Sequence, residues 1–374
     1  MDAQTRSLFN TLPELRRERS TLFGLTIFAF CTAAWLLTLA AVVLLPLWLS
    51  IPAALANAIT VAMLFIVAHD AAHGTLVSSL RMNRVIGTLA FLPSLHPITG
   101  WKRSHNAKHH LWTNLKGEDP GYPPFSLAEY RDLPPTRRVL ERFYRSWAGI
   151  GFCYFVELYW KRILFPTRDY MPNQRVELRW DRALIALFLI AEVVGIYCVS
   201  LAINRPHPLL FTIYAVAGPY CVFLWLTGFV TYQQHTNAEI PWFDRKSDWS
   251  YFQNQVAGTV HMDFPPILNV FFLNVLEHSA HHVDPLIPLY NLDKSQQVLE
   301  TAYPGTIKII GWSPRVVLTT LKCCKLYDYR EHRWLDFNGQ PTSPRLVPII
   351  EPAELPKLAQ TKASPQPHPG LTRA

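Results

Sequence analysis

Two long stretches without a charged side chain divide the chain, and histidine-rich polar segments lie between and after them. From Leu22 to Ala68, 47 residues run without Asp, Glu, Lys or Arg, and from Pro206 to Ala238 a further 33 do so. A helix that spans a bilayer needs roughly 20 apolar residues. The first stretch therefore holds two spans, broken near Pro46, Ser50 and Pro52. The pattern predicts spans at about 22–44 and 52–71, and two more at about 183–203 and 208–232, joined by Asn204-Arg205-Pro206-His207-Pro208. The result is two helical hairpins. Shorter apolar stretches at 85–101, 147–160 and 264–276 are too brief to cross and read as helices lying at the interface. The stretch from Leu22 is too long for a signal peptide, and a second span follows it directly.

Composition sharpens this picture. Only 17% of the 374 residues are charged, against about 25% in an ordinary soluble domain. A soluble globular domain, a disordered chain and a secreted disulfide scaffold are all hard to reconcile with that. The six cysteines form no CxxC pair, which argues against a disulfide framework or a cysteine-based zinc site. Lys+Arg 35 against Asp+Glu 27 gives +8, a balance that fits a membrane surface or an acidic partner. Nucleic acid is not indicated, because no basic stripe with interleaved aromatics appears. Arg6, Arg16, Arg17 and Arg19 precede the first span, while the two hairpin tips carry only Arg205. The positive-inside rule then puts the N-terminus, residues 72–182 and everything after about 233 on the cytoplasmic side.

The expected organisation is a cytosolic N-terminal segment (1–21), a single membrane domain (22–340) and a tail (341–374) with 8 of the 30 prolines, read as disordered or extended. Within the tail, His368-Pro369-Gly370 resembles the haem-binding loop of cytochrome b5. A haem needs a folded domain around it, and only four residues follow, so that reading fails. Glu192, inside the third span, is a functional candidate as an intramembrane carboxylate, with snorkelling or local pairing as the plainer explanation.

Nine of the 14 histidines fall into four groups on the cytoplasmic side. His69 and His73 sit one helical turn apart at the end of the second span. His105, His109 and His110 follow, then His235 where the fourth span ends, then His278, His281 and His282. The topology, read from charge alone, brings all four groups to one side and a similar depth. Imidazole-rich sites suit iron, copper, zinc or nickel, whereas magnesium and calcium favour carboxylate oxygens. One metal cannot use nine histidines, but two can, with positions left open. Zinc has no redox chemistry, whereas an iron pair can activate dioxygen. Beside an apolar channel, that suggests oxidation of unactivated C–H bonds in an acyl chain. Each group also has a plainer reading: paired helical histidines often cap or hydrogen-bond, and His235 alone would be structural. Asp70, Asp119, Asn274, Glu277 and Asp284 are candidates to hold the second N–H of a metal-bound imidazole. His96, His207, His261, His332 and His368 stand outside the pattern and read as ordinary.

The segments HDAAHGT, SHNAKHHLWTN, QQHTNAEIPWF and EHSAHHVDPLIPLYNL resemble the membrane fatty acid desaturase and hydroxylase superfamily in order, spacing and flanks, from about His69 to Leu292. The resemblance implies an all-α membrane protein, with four transmembrane helices in two hairpins and a cytosolic helical cap carrying the histidine boxes. It implies two non-haem irons held by His69, His73, His105, His109, His110, His235, His278, His281 and His282, with dioxygen as co-substrate. Which iron takes which histidine is left open. It further implies a fatty acid or acyl-lipid substrate. No fused electron-transfer domain is seen, so a separate donor of ferredoxin, rubredoxin or cytochrome b5 type is expected. Within the superfamily the expected reaction is fatty acid desaturation, with oxidative decarboxylation to a 1-alkene, hydroxylation and carotenoid ketolation as alternatives; HDAAHGT with Asn83-Arg84 also resembles the ketolases, but the QHT and IPLYNL flanks favour acyl substrates. From other classes, a membrane zinc hydrolase would use HDxxH with Asp70 as base. A transporter is disfavoured, because the histidines lie beyond the helix ends rather than along a path across the bilayer.

Overall fold

In the computed structural model, residues 18–346 are described. Helix α1 (Thr21–Leu44) starts where Ser20 accepts a hydrogen bond from the Phe23 amide at 3.2 Å, and it ends just before Pro46. Helix α2 (Leu47–His73) begins at Leu47 rather than at 52. Pro52 is its sixth residue, where the ring removes one intrahelical bond without stopping the helix. Gly74, at φ +81°, closes α2 in a left-handed conformation, which costs a residue without Cβ nothing.

The 85–101 stretch is not one helix. Helices α3 (Leu80–Phe91) and α4 (Ile98–Ser104) are separated by a turn that includes Leu95 at φ +59° and Pro97. Helix α4 runs into a π-helical turn, His105–His109. Helices α5 (Leu127–Asp132), α6 (Pro135–Tyr144) and α7 (Ile150–Cys153) follow, and α7 continues as a π-helical stretch, Tyr154–Leu164. Helix α8 (Arg175–Ala202) starts well before residue 183, its first turns carrying Arg175, Glu177, Arg179 and Asp181, and α9 (Pro208–His235) runs on to His235.

A third π-helical segment, Gln253–Ala257, leads into strand β1 (Val260–Asp263), then helices α10 (Pro266–Phe272), α11 (His278–Val283) and α12 (Leu292–Ala302). Strand β2 (Lys308–Gly311), helix α13 (Pro314–Cys323) and strands β3 (Leu326–Asp328) and β4 (Arg333–Leu335) complete the cap. The fold is the expected four-helix, two-hairpin architecture with a helical cap, to which two small sheets are added. β1 and β2 pair in parallel and β3 and β4 antiparallel. Residues 341–346, assigned to the tail by composition, are bonded to the cap: the Thr342 amide donates to the Trp334 carbonyl at 2.9 Å and the Leu346 amide to His332 at 2.8 Å. The rest of the tail, including His368, and residues 1–17 lie outside the described residues.

Helices α1, α2, α8 and α9 are long and apolar enough to cross a membrane; α2 buries the largest share of its apolar window and α1 and α8 the smallest. One buried cluster, including Val67, Phe91, Trp101, Ala280 and Val283, ties α2 to the cap. A second, including Ile150, Tyr154, Phe223 and Phe229, ties α7 to α9. That contact needs two glycines: a Cβ on Gly151 would lie 2.5 Å from the Trp225 Cα, and one on Gly228 2.8 Å from the Ile150 carbonyl. At the far end, Arg205 donates to the Val43 carbonyl at 2.7 Å and joins the hairpin tips.

Candidate metal centre

The end of α2, the π-helical turn, the end of α9 and helix α11 bring all nine predicted histidines together as two groups. His69, His73, His105, His110 and His281 form one; His109, His235, His278 and His282 form the other. Within each group the nitrogens that could bind an ion lie within 4.8 Å of one another. The partition follows from local geometry. On α2, His69 and His73 share a face, with ring centroids 4.9 Å apart. On α11, His278 and His282 share a face while His281 points to the other group. In the π turn the His110 amide bonds to the His105 carbonyl at 3.0 Å. This spacing places residues five apart in near-register, so the His105 and His110 Nε2 atoms stand 3.0 Å apart and His109 turns away.

Burial decides the protonation of these rings. It holds His105, His110, His278, His281 and His282 far below the ordinary histidine range, with neighbouring imidazoles adding to the effect. They are neutral at pH 7, the form that binds metal. Both ring nitrogens of His73, and Nε2 of His281 and of His282, are buried without a protein hydrogen-bond partner. Such nitrogens are costly unless something else occupies them, and the donor set fits a nitrogen-preferring transition metal in each group.

Of the predicted supporting groups, Asp119 meets a site histidine. Its Oδ1 accepts from His109 Nδ1 at 2.9 Å, and its other bonds come from the Asn114 and Gly121 amides. His109 is thereby oriented with Nε2 toward its group. Asp70 instead accepts from the Thr75 hydroxyl at 2.7 Å and the Leu289 amide at 3.2 Å, tying the end of α2 to the segment after α11. Asn274 also donates to Leu289, at its carbonyl. Glu277 precedes α11, its carboxyl pushed up to about 7 by burial, with Asn269 3.4 Å away. Asp284 accepts from the Leu286 amide. Glu192 lies on α8, outside both groups.

Two residues that the sequence did not mark are built into the site. Gln255 is fully buried; its amide donates to the His110 carbonyl at 2.7 Å, which fixes its Oε1 as acceptor for His282 Nδ1 at 2.8 Å. Trp101 stacks on His105 with ring centroids 4.2 Å apart. Neither carries a spacing signal; an isolated Gln or Trp in a helical segment looks like any other. His96, read as ordinary, supports the neighbouring cavity. Its Nδ1–H donates to the Ser94 carbonyl at 2.6 Å, so Nε2 accepts from the Tyr154 hydroxyl at 3.0 Å. His261 Nδ1 pairs with Glu300 at 2.6 Å, and Glu300 in turn accepts from Gln296, whose Oε1 takes the Ala280 amide of α11.

An apolar cavity of about 480 Å³ reaches both groups. Ile59, Phe65 and Ile66 of α2, Trp225 and Phe229 of α9, Tyr154 and Leu158, and Phe264 and Phe272 line it, and His69, His105, His109, His235 and His278 border it. Such a mostly apolar space accepts a flexible hydrocarbon, with the histidines and a few polar side chains such as Thr231 and Gln234 among its lining.

The profile of the family described as Fatty acid desaturase matches residues 46–309. The chain is 27% identical over 277 residues to the "Omega-6 fatty acid desaturase, chloroplastic" of Brassica napus, a match covering 73% of this chain and 59% of the relative, so it spans less than two thirds of that protein. It is 27% identical over 334 residues to the "sn-1 oleoyl-lipid 12-desaturase" of Picosynechococcus sp., covering 89% of this chain and 92% of the relative. The "sn-1 oleoyl-lipid 12-desaturase" of Synechocystis sp. is 27% identical over 283 residues, with 74% and 75% covered.

Proposed function

The chain belongs to the fatty acid desaturase family, and from that premise we propose that it is an oxygen-dependent oxidoreductase that introduces a double bond into an acyl chain carried by a membrane lipid. The observation that carries this reading is the pair of buried histidine groups opening onto one apolar cavity. We assign the nine histidines as ligands of two iron ions, five on one and four on the other. When bound, the irons would supply reductive activation of dioxygen and abstraction of hydrogen from the chain. This protein's own residues do the rest. Asp119 and Gln255 hold His109 and His282 with Nε2 bare. The apolar cavity walls would seat the chain beside the histidines of both groups.

The similarity to two sn-1 oleoyl-lipid 12-desaturases supports a lipid-linked, already monounsaturated chain as substrate. The positive-inside bias supports a cytoplasmic active site, and a separate electron donor completes the reaction. A zinc hydrolase with Asp70 as base fits less well, because one zinc needs few ligands while nine histidines gather here in two groups.

The deciding experiment is mass spectrometry of lipids and headspace hydrocarbons from aerobic cells expressing the protein, with His281→Ala as control. Acyl chains lighter by two hydrogens at unchanged length, absent from the control, are expected. Terminal alkenes one carbon shorter, or hydroxylated chains, would replace desaturation with one of the other outcomes.

A further inference from the structure

The four-histidine group is connected to the surface of the cap. Thr113 is fully buried, and its hydroxyl lies 2.8 Å from the His109 carbonyl, 3.0 Å from Gln255 Oε1 and 3.2 Å from His282 Nδ1. One residue thus contacts two members of that group. On its other side the Thr113 carbonyl accepts the indole N–H of Trp249 at 2.8 Å. The rings of Trp249 and Trp112 lie 5.4 Å apart, both half-buried, and the Lys246 ammonium sits 4.3 Å above Trp112. The five-histidine group has an indole neighbour too, but Trp101 is buried and faces the cavity. That cavity is apolar and serves the acyl chain, so a protein carrier cannot reach the histidines through it.

Resting on the desaturase reading, we propose that the Trp112–Trp249 pair is where reducing electrons enter, and that they pass through Thr113 to the group of His109, His235, His278 and His282 before the other. The two rings, the Trp249–Thr113 hydrogen bond and the Thr113 contact with His282 leave no wide through-space gap between the cap surface and that group, and an electron tunnels along such contacts without oxidising or reducing the indoles. The partner is a small one-electron carrier protein. In two successive events one reduced carrier loses one electron and one ferric ion becomes ferrous; no covalent bond forms or breaks. Trp112 and Trp249 touch neither substrate nor reacting atoms, and their role is to position and couple the carrier.

The test uses the full chain, loaded with iron in detergent, mixed under argon with reduced plant-type [2Fe–2S] ferredoxin while oxidation of the ferredoxin is followed by absorbance. Trp249→Phe keeps an aromatic, though smaller, ring and removes the N–H bond to Thr113. We expect it to slow ferredoxin oxidation by about tenfold or more, with Trp112→Leu/Trp249→Phe slower still. Bound iron and reduction by dithionite should stay at the parent level, a split that a merely structural role would not produce. An unchanged ferredoxin rate in an iron-loaded double variant overturns the proposal. Should the double variant lose iron, Trp249→Phe decides alone, since it leaves Trp112 in place and keeps an aromatic side chain at 249. A parent protein that binds no iron, or whose iron dithionite cannot reduce, would sink the desaturase reading and this proposal with it.

Discussion

His109 and His110 are neighbours in the chain and yet serve different groups, because the turn that carries them is π-helical. Residue type and spacing announced all nine histidines, and the structure gathers all nine. Their division into five and four was not legible, since it depends on a hydrogen-bond pattern one residue wider than the α-helix that an i, i+4 reading assumes. Gln255 was hidden for a different reason: its partners are a carbonyl and an imidazole from segments more than 25 residues away in sequence. Two predictions belong at this scale. His281→Ala should lower bound iron and abolish desaturation while leaving membrane insertion intact; retained activity in a correctly inserted variant would remove His281 from the ligand set. Asp119→Asn, which weakens the hold on His109, should reduce activity or iron affinity by about 10–100-fold. Iron titration and turnover checked side by side would expose a smaller effect.

At the scale of elements, the apolar runs gave the four long helices but not their ends. Pro52 suggested a boundary that a helix tolerates in its second turn, and the charged first turns of α8 hid a continuous helix whose apolar part is only its middle. The short stretch after 147 was legible as a helix, but its close seating on α9 was not, because that rests on Gly151 and Gly228 meeting in space. Gly151→Ala should force the two helices apart and cost about 1–3 kcal/mol, read as a lower unfolding midpoint in detergent. An unchanged midpoint would mean that the Trp225 backbone moves aside freely.

For the whole molecule, the two groups clamp together four elements that the chain keeps far apart: α2, the π turn, α9 and α11. Metal binding to preformed buried nitrogens adds to folding stability, because the unfolded chain offers no such site. Removing iron with a chelator should therefore lower the unfolding midpoint of the detergent-solubilised protein, and restoring iron should raise it again. Equal midpoints for the loaded and stripped forms would argue against an ion in these groups. Charge at the ends of the hairpins predicts an orientation, and this too can be measured. A membrane-impermeant thiol reagent should label Asn204→Cys, in a background lacking the six native cysteines, from outside intact cells. Labelling only after lysis would invert the topology.

The division of His281 to one group and His278 and His282 to the other has a consequence for how the protein is made. Synthesis runs from the N-terminus, so α1, α2, α8 and α9 are all translated before α11 leaves the ribosome. Until then both groups are incomplete, the first holding four of its five histidines and the second two of its four. A ribosome stalled anywhere before residue 278 leaves a membrane-bound fragment in which neither centre is finished. On the desaturase reading, a product truncated before α11 would carry no complete metal site.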